Sequence, residues 1–201
     1  MCFGGKMGKI FHLMGKSSTG KDTIYREILR SGANNLKVIV PYTTRPVRAG
    51  EVQGKQYYFV DEEEFQKLKE SGRVVEDRGY HTCHGLWRYF TVDDGRIDLQ
   101  NNNYIIIGTL ESYVKCREYF GEDKLIPVLI ELDDGERLQR ALNRERKQEH
   151  PKYEEMCRRF LADSEDFSEE NIVKAGITKR FYNENLTHCI EEINAYIKEM
   201  L

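Results

Sequence analysis

Short strand-like segments, mostly apolar, stand at residues 10–14, 36–40, 104–108, 125–131 and, more weakly, 178–182, and between them apolar positions recur at three- and four-residue intervals. Runs of this length fit strands covered on both faces. The 3.6-residue rhythm predicts amphipathic helices over 23–30, 111–120, 135–146, 153–165 and 187–200. Their alternation favours an α/β fold with a largely parallel sheet. Two segments break the rhythm. From about residue 42 to 90 the chain carries aromatic and glycine-rich short runs, such as Gln56-Tyr57-Tyr58-Phe59-Val60, with one short helical pattern over 62–71. That composition predicts an inserted α+β region. Residues 143–152 are dense in charge and reach Pro151, which predicts an exposed connection between two helices. No repeat, low-complexity tract or linker divides the chain, so one domain over 1–201 is expected.

Composition narrows the class. The chain has 201 residues, 39% hydrophobic and 32% charged, which suits one soluble domain with a sizeable core. A net charge of −3 gives no global electrostatic case for nucleic acid. No apolar run approaches the roughly 18–20 residues a membrane span needs. Met1-Cys2-Phe3-Gly4-Gly5-Lys6 lacks the apolar stretch of a signal peptide, and Met7 stands as an alternative start just before the first strand. Cys2, Cys83, Cys116, Cys157 and Cys189 are scattered without a CxxC pair, as expected of reduced thiols in a cytoplasmic protein.

The first candidate chemistry lies between the first strand and the first helix. Gly15-Lys16-Ser17-Ser18-Thr19-Gly20-Lys21-Asp22-Thr23 has the Gly-x-x-x-x-Gly-Lys spacing of a phosphate-binding P-loop. Backbone N–H groups and a helix N-terminus supply partial positive charge to a polyphosphate, and Lys21 adds a full one. Gly15, Ser17, Ser18, Thr19, Gly20, Lys21, Asp22 and Thr23 are therefore candidate polyphosphate contacts. Asp22 replaces the Ser or Thr whose hydroxyl normally meets Mg²⁺. Its carboxylate either ligates Mg²⁺, directly or through water, or only favours the helix N-terminus while Thr23 or water takes the metal.

The second constellation is Tyr42-Thr43-Thr44-Arg45-Pro46-Val47-Arg48-Ala49-Gly50-Glu51, followed by Tyr57. Arg45 and Arg48 can place two planar forks around one anion, and the Tyr57 hydroxyl can add a neutral donor. Glu76, ending Arg73-Val74-Val75-Glu76, can accept from a purine's ring N–H and exocyclic amine together, which selects guanine over adenine.

Thr-Thr-Arg, a second Arg, Gly-Glu, Gly and Tyr in this order, with a P-loop upstream, resemble the guanylate kinase family over nearly the whole chain. The resemblance implies a P-loop NTPase three-layer fold with a parallel core sheet, an inserted nucleotide-monophosphate-binding region and a helical lid. It places the core at about 7–41, 91–142 and 154–201, the GMP-binding region at about 42–90 and the lid at about 143–153. The implied activity is Mg²⁺-assisted phosphoryl transfer from ATP to GMP, and to dGMP, within purine nucleotide metabolism. Carried over by position, Arg45, Arg48 and Tyr57 hold the GMP phosphate and Glu76 reads guanine. Lys21 and the loop amides hold ATP. Arg144 and Arg146 lie on the lid, with Arg158 or Arg159 entering from the next helix; Lys21, Arg45, Arg144 and Arg158 are taken as the catalytic set. Asn183, in Tyr182-Asn183-Glu184-Asn185, resembles a segment near the adenine pocket.

The chain departs from the family where the base is read. Pro41 and Tyr42 stand in place of two small hydroxyl residues, one of which contacts guanine, so Tyr42 is a candidate GMP contact. Ser17-Ser18 replaces a Ser-Gly pair. Cys83-His84-Gly85 only echoes a Tyr-Tyr-Gly turn, leaving His84 or Tyr80 for its phosphate-binding tyrosine. A strand-end Asp is missing from Ile107-Gly108-Thr109-Leu110-Glu111, where Thr109 offers a hydroxyl and Glu111 either a carboxylate or a helix cap.

Other groups draw plainer expectations. His81, Cys83 and His84 are too few for a zinc site. Trp87-Arg88-Tyr89-Phe90 reads as a packed edge of the inserted region, and Asp93-Asp94-Gly95 as a turn and helix start. Expected partners are ATP and GMP, with no nucleic acid or membrane, in a monomer or homodimer. The alternatives are a related P-loop kinase for another phosphorylated acceptor, such as a sugar phosphate, and a non-catalytic binding module for phosphorylated or acidic peptides.

Overall fold

The computed structural model describes residues 7–82 and 85–201. Cys2, Cys83 and His84 lie outside the described residues. Five parallel strands form the core sheet: β1 (Ile10–Met14), β2 (Leu36–Val38), β7 (Asn103–Ile107), β8 (Leu125–Glu131) and β9 (Arg180–Tyr182), in the order β2-β7-β1-β8-β9. Every residue of β1 is buried, because β7 and β8 flank it and helices cover both faces. Side chains alternate across a strand. Ile10, His12 and Met14 therefore face one layer, and Phe11 and Leu13 the other.

The first layer holds α3 (Leu110–Phe120), with Tyr113, Cys116 and Phe120, and α6 (Glu169–Lys174), with Ile172. The second holds α1 (Lys21–Ser31), with Ile24 and Ile28, and α7 (Leu186–Met200), with Ile193 and Ile197. Each such fully buried aliphatic side chain is worth about 1.5–3 kcal/mol relative to exposure. Burial also pushes the Cys116 thiol up to about 12 and Cys189 to about 11, so these free thiols stay protonated. No described helix is long and apolar enough to cross a membrane.

The inserted region is a second sheet in the order β4-β3-β6-β5, made of β3 (Tyr42–Thr43), β4 (Tyr58–Phe59), β5 (Val74–Thr82) and β6 (Gly85–Val92). Helix α2 (Glu62–Glu70), capped by the Asp61 carboxylate on Glu64 N–H, packs Phe65 onto Tyr42, Phe90 and Val92. β6 lies between β3 and β5, so Trp87-Arg88-Tyr89-Phe90 runs through the middle of this sheet and is not an edge. Asp93-Asp94-Gly95 starts no helix; it turns the chain into a loop in which Asp94 accepts from the Tyr42 hydroxyl at 2.8 Å. The lid connection runs between α4 (Asp134–Glu145) and α5 (Tyr153–Asp166). The short helix α6 has no counterpart in the sequence reading.

Candidate functional site

The loop after β1 is shaped by two close approaches. A Cβ at Gly15 would overlap the Ile130 carbonyl of β8, and one at Gly20 would overlap the Asn183 amide. Gly20 also adopts φ 89°, a left-handed conformation that other residues rarely accept. Asn183 donates its side-chain N–H to the Thr19 carbonyl at 2.7 Å and is 2% exposed. It is a clamp under the loop rather than a contact in an open pocket. The Thr19 hydroxyl turns inward to the Lys16 carbonyl at 2.9 Å. Ser18 holds φ 68°, and its Oγ is buried without a hydrogen-bond partner.

Two residues outside the candidate site set brace this loop from outside. Arg137, fully buried in α4, donates from Nε to the Ser17 carbonyl at 3.1 Å and is ion-paired to Asp134. Asp163 of α5 accepts from the Ser17 backbone N–H at 2.6 Å and lies 3.6 Å from Arg137. The signal for Arg137 was its spacing: it shares the buried face of α4 with Ala141, four residues on.

Above the loop, Ser17, Ser18, Arg48, Arg144, Lys152 and Arg159 line a cavity of about 380 Å³. Arg48 reaches it from the inserted region, Arg144 from the end of α4 and Arg159 from α5. Arg159 Nη2 is 3.4 Å from Ser17 Oγ. Arg158 points elsewhere: it is exposed and forks Glu155, with both distances 2.7 Å. Successive helix residues differ by about 100° in direction, so only one of the two can face the loop, and Arg159 is that one. Lys21 lies 3.6 Å from the exposed carboxylate of Asp22, and Thr23 follows in the first turn of α1. Arg146 ends α4 and does not line this cavity.

The second sheet turns one face to α2 and the other toward the start of α3, where Arg78 reaches Thr109. Opposed residues on antiparallel strands share a face. Glu76 with Thr91, Arg78 with Tyr89 and Tyr80 with Trp87 therefore form one surface. Tyr57 and Tyr80 each meet Tyr89 edge-on at 5.7 Å. Burial, above all, raises the Tyr57 phenol above its usual range, and the Arg45 guanidinium lies over its ring, 5.1 Å from the centroid. Tyr42 takes the opposite face: it is 7% exposed, stacked on Phe90 and bonded to Asp94 and Arg96. The structure does not bring it to the cleft, because a strand's adjacent residues point to opposite sides.

Arg45 and Arg48 part company too. Arg45 is 3% exposed and grips Glu51 bidentately at 2.7 and 2.5 Å, with a further bond to the Pro46 carbonyl. That grip, first, and the Arg48 backbone N–H hold the Glu51 carboxyl down to about 2. Arg45 thus folds the 45–51 loop, and Arg48 is the exposed cation the loop presents.

Glu76 is the largest departure from expectation. Its side chain is fully buried, and Oε2 accepts from Arg78 Nε at 2.9 Å. Oε1 accepts from Thr91 at 2.8 Å and from Arg78 Nη2 at 3.3 Å. Removing one partner of such a buried pair costs about 3–5 kcal/mol. Arg78 continues to the Thr109 hydroxyl at 3.1 Å. Thr109 is the N-cap of α3, in a capping box with Ser112, and Ser112 Oγ is 3.1 Å from His12 Nε2. Desolvation, then the Arg78 charge, lowers His12 to about 3, so the ring is neutral. Glu111 does not cap; it pairs with Lys115 at 2.7 Å.

A family model described as guanylate kinase matches residues 7–84. The guanylate kinase of Lactiplantibacillus plantarum is 44% identical over 75 residues, 37% of this chain and 36% of that protein. The guanylate kinase of Thermotoga maritima is 32% identical over 149 residues, 64% of this chain and 72% of the relative. The chain belongs to the guanylate kinase family. A crystal structure of guanylate kinase from Anaplasma phagocytophilum shares the fold, with a TM-score of 0.64 at 20% identity, covering 96% of this chain and 86% of that one. In this chain the loop keeps both of its bounding glycines, Gly15 and Gly20, at close approaches, whereas Glu76 lies beneath a second side chain.

The loop fits Mg²⁺ and a polyphosphate. Ser18 supplies a buried hydroxyl with no other partner, and Asp22 an exposed carboxylate beside Lys21. Both are hard oxygen donors of the kind Mg²⁺ takes, and Mg²⁺ completes its shell from phosphates and water. Among the described residues no group of three or more His, Cys, Asp or Glu side chains could hold a metal alone.

Proposed function

We propose that the chain is an ATP-dependent nucleoside-monophosphate kinase that phosphorylates GMP, and dGMP, to the diphosphate, in the cytoplasm. The observation that carries this reading is the cleft in which Arg48, Arg144 and Arg159, from three elements, converge on Ser17 and Ser18 of the loop. In phosphoryl transfer an oxygen of the acceptor phosphate attacks the γ-phosphorus of ATP as the bond to ADP breaks. The acceptor is already an anion, so no general base is needed. The protein positions the two phosphates and answers the charge spread over the transferring group. Lys21 and the loop amides hold the donor, and Arg48 with Tyr57 holds the acceptor phosphate. Arg144 and Arg159 stand against the charge in transit and close the cleft to water. Mg²⁺, taken by Asp22 and Ser18, would neutralise the donor phosphates.

A coupled ADP-release assay with Mg²⁺·ATP and a panel of phosphorylated acceptors tests the reading. Turnover with GMP that EDTA abolishes is expected. Turnover only with a sugar phosphate, or none with any acceptor, would sink it.

A further inference from the structure

Ser17 is held at its carbonyl, its N–H and its hydroxyl by side chains of the two helices that flank the lid connection. The carbonyl accepts from Arg137 Nε of α4 at 3.1 Å. The N–H donates to Asp163 Oδ2 of α5 at 2.6 Å, and Oγ lies 3.4 Å from Arg159 Nη2 of the same helix. Arg159 lines the cleft and has a part in the assigned activity. Asp163 does not line the cleft and has none, yet its contact with Ser17 is the shortest of the three.

Arg159 and Asp163 stand four residues apart, so they share one face of α5. Phe160 packs on this side as well, its ring centroid 4.7 Å from the Arg137 guanidinium. These contacts matter because α5 has little else. None of its 14 residues is buried, whereas most helices take their stability from a packed apolar face. A helix without one stays where its polar contacts put it. A carboxylate on a backbone N–H is a charge-assisted bond, about twice as strong as a neutral one. Arg137 Nη2 lies 3.6 Å from the same Asp163 oxygen and has no hydrogen-bond partner, so a positive charge holds the carboxylate in place from a second side. A rotation of α5 by about 100°, one residue's step, would carry Arg159 off the loop.

We propose that Asp163 is a positioning residue. By holding α5 on the Ser17 N–H it fixes the rotation of the helix, so that Arg159, and not Arg158, faces the cleft. The inference rests on the nucleoside-monophosphate kinase reading, and it adds how the fold selects the arginine that answers the charge in transit.

The test is a double-mutant cycle in kcat with Mg²⁺·ATP and GMP. Asp163→Ala should lower kcat about tenfold, with KM for ATP within about threefold of wild type. Asp163→Asn keeps an acceptor for the Ser17 N–H and should stay within about threefold of wild type in kcat. In an Arg159→Ala background, Asp163→Ala should cost no more than about twofold further, because the group it positions is already gone. Damage to the loop itself would instead raise KM for ATP and persist in that background. An unchanged kcat in Asp163→Ala overturns the proposal, and so does a loss that persists in full without Arg159. If Asp163→Ala does not fold, Asp163→Ser takes its place in the cycle under the same limits. Absence of turnover with every acceptor would strike the kinase reading instead. The crystal structure of the same Asp163 variant then decides: Arg159 withdrawn from Ser17 sustains the positioning role, and Arg159 still on Ser17 overturns it.

Discussion

The phosphate side of the cleft and the base side are built by different means. The phosphate side is mostly backbone: a loop held by Gly15 against β8, by Gly20 against Asn183, and by buried Arg137 and Asp163 from outside. The base side is a relay of side chains, running Glu76, Arg78, Thr109, Ser112, His12. A backbone cradle keeps its shape while its glycines and braces stay. A side-chain relay changes meaning when one member changes. The same fold can therefore keep its phosphate chemistry and redirect its base.

The sharpest way to break the comparison is Lys21→Met. If the cradle holds the donor phosphates, turnover should fall about 10³-fold while the melting temperature barely moves. Near-normal turnover in the coupled assay would empty the phosphate side of its function. Next in size is a matched pair of lid variants. Arg159→Ala should cost about 10²-fold in kcat, whereas Arg158→Ala, which loses an exposed pair with Glu155, should stay within about twofold. Equal losses would mean that the lid moves between faces of α5 during turnover.

How far the sequence led follows the same division. Gly-x-x-x-x-Gly-Lys after a buried strand was readable because its spacing is the geometry: the glycines stand where a Cβ cannot. The runs at 10–14 and 125–131 became β1 and β8 over the same residues, since apolar runs covered on both sides leave little choice. Tyr42, Arg158 and the free carboxylate of Glu76 were misplaced for one shared reason. Each required knowing which way a side chain points; Tyr42 meets Asp94 and Arg78 meets Thr109 across long stretches of sequence, while the Arg158 pair with Glu155 is local and only its facing was hidden. Arg78 stood two residues from Glu76 throughout. Strand alternation alone puts them on one face, and that signal went unused.

The base-side relay predicts a pH dependence. His12 has a folded pKa of about 3 against the usual 6.5. Between these values the unfolded chain binds a proton that the folded chain refuses. Stability therefore falls with falling pH, by up to about 1.4 kcal/mol per unit. Glu51, at about 2 in place of 4.5, loses its contribution only in more acid solution. The window from pH 6.5 to 5 isolates His12. Wild type should lose about 2 kcal/mol across it in urea unfolding, and His12→Leu less than half as much. Equal losses would remove His12 from the relay's energetics.

The smallest effect probes a side chain of the loop itself. Ser18 adopts φ 68° and buries a hydroxyl without a partner. A left-handed conformation costs a non-glycine residue about 1–2 kcal/mol, and strain of this kind persists where function needs it. Ser18→Gly relieves the strain and removes the orphaned hydroxyl. It should stabilise the fold by about 1 kcal/mol, a rise of about 2–4 °C in Tm at this chain length. If the hydroxyl serves the bound nucleotide, KM for Mg²⁺·ATP should rise about tenfold in the same variant, the equivalent of one hydrogen bond. A rise in Tm with KM unchanged would remove the Ser18 hydroxyl from nucleotide binding and sharpen the contrast with the base side.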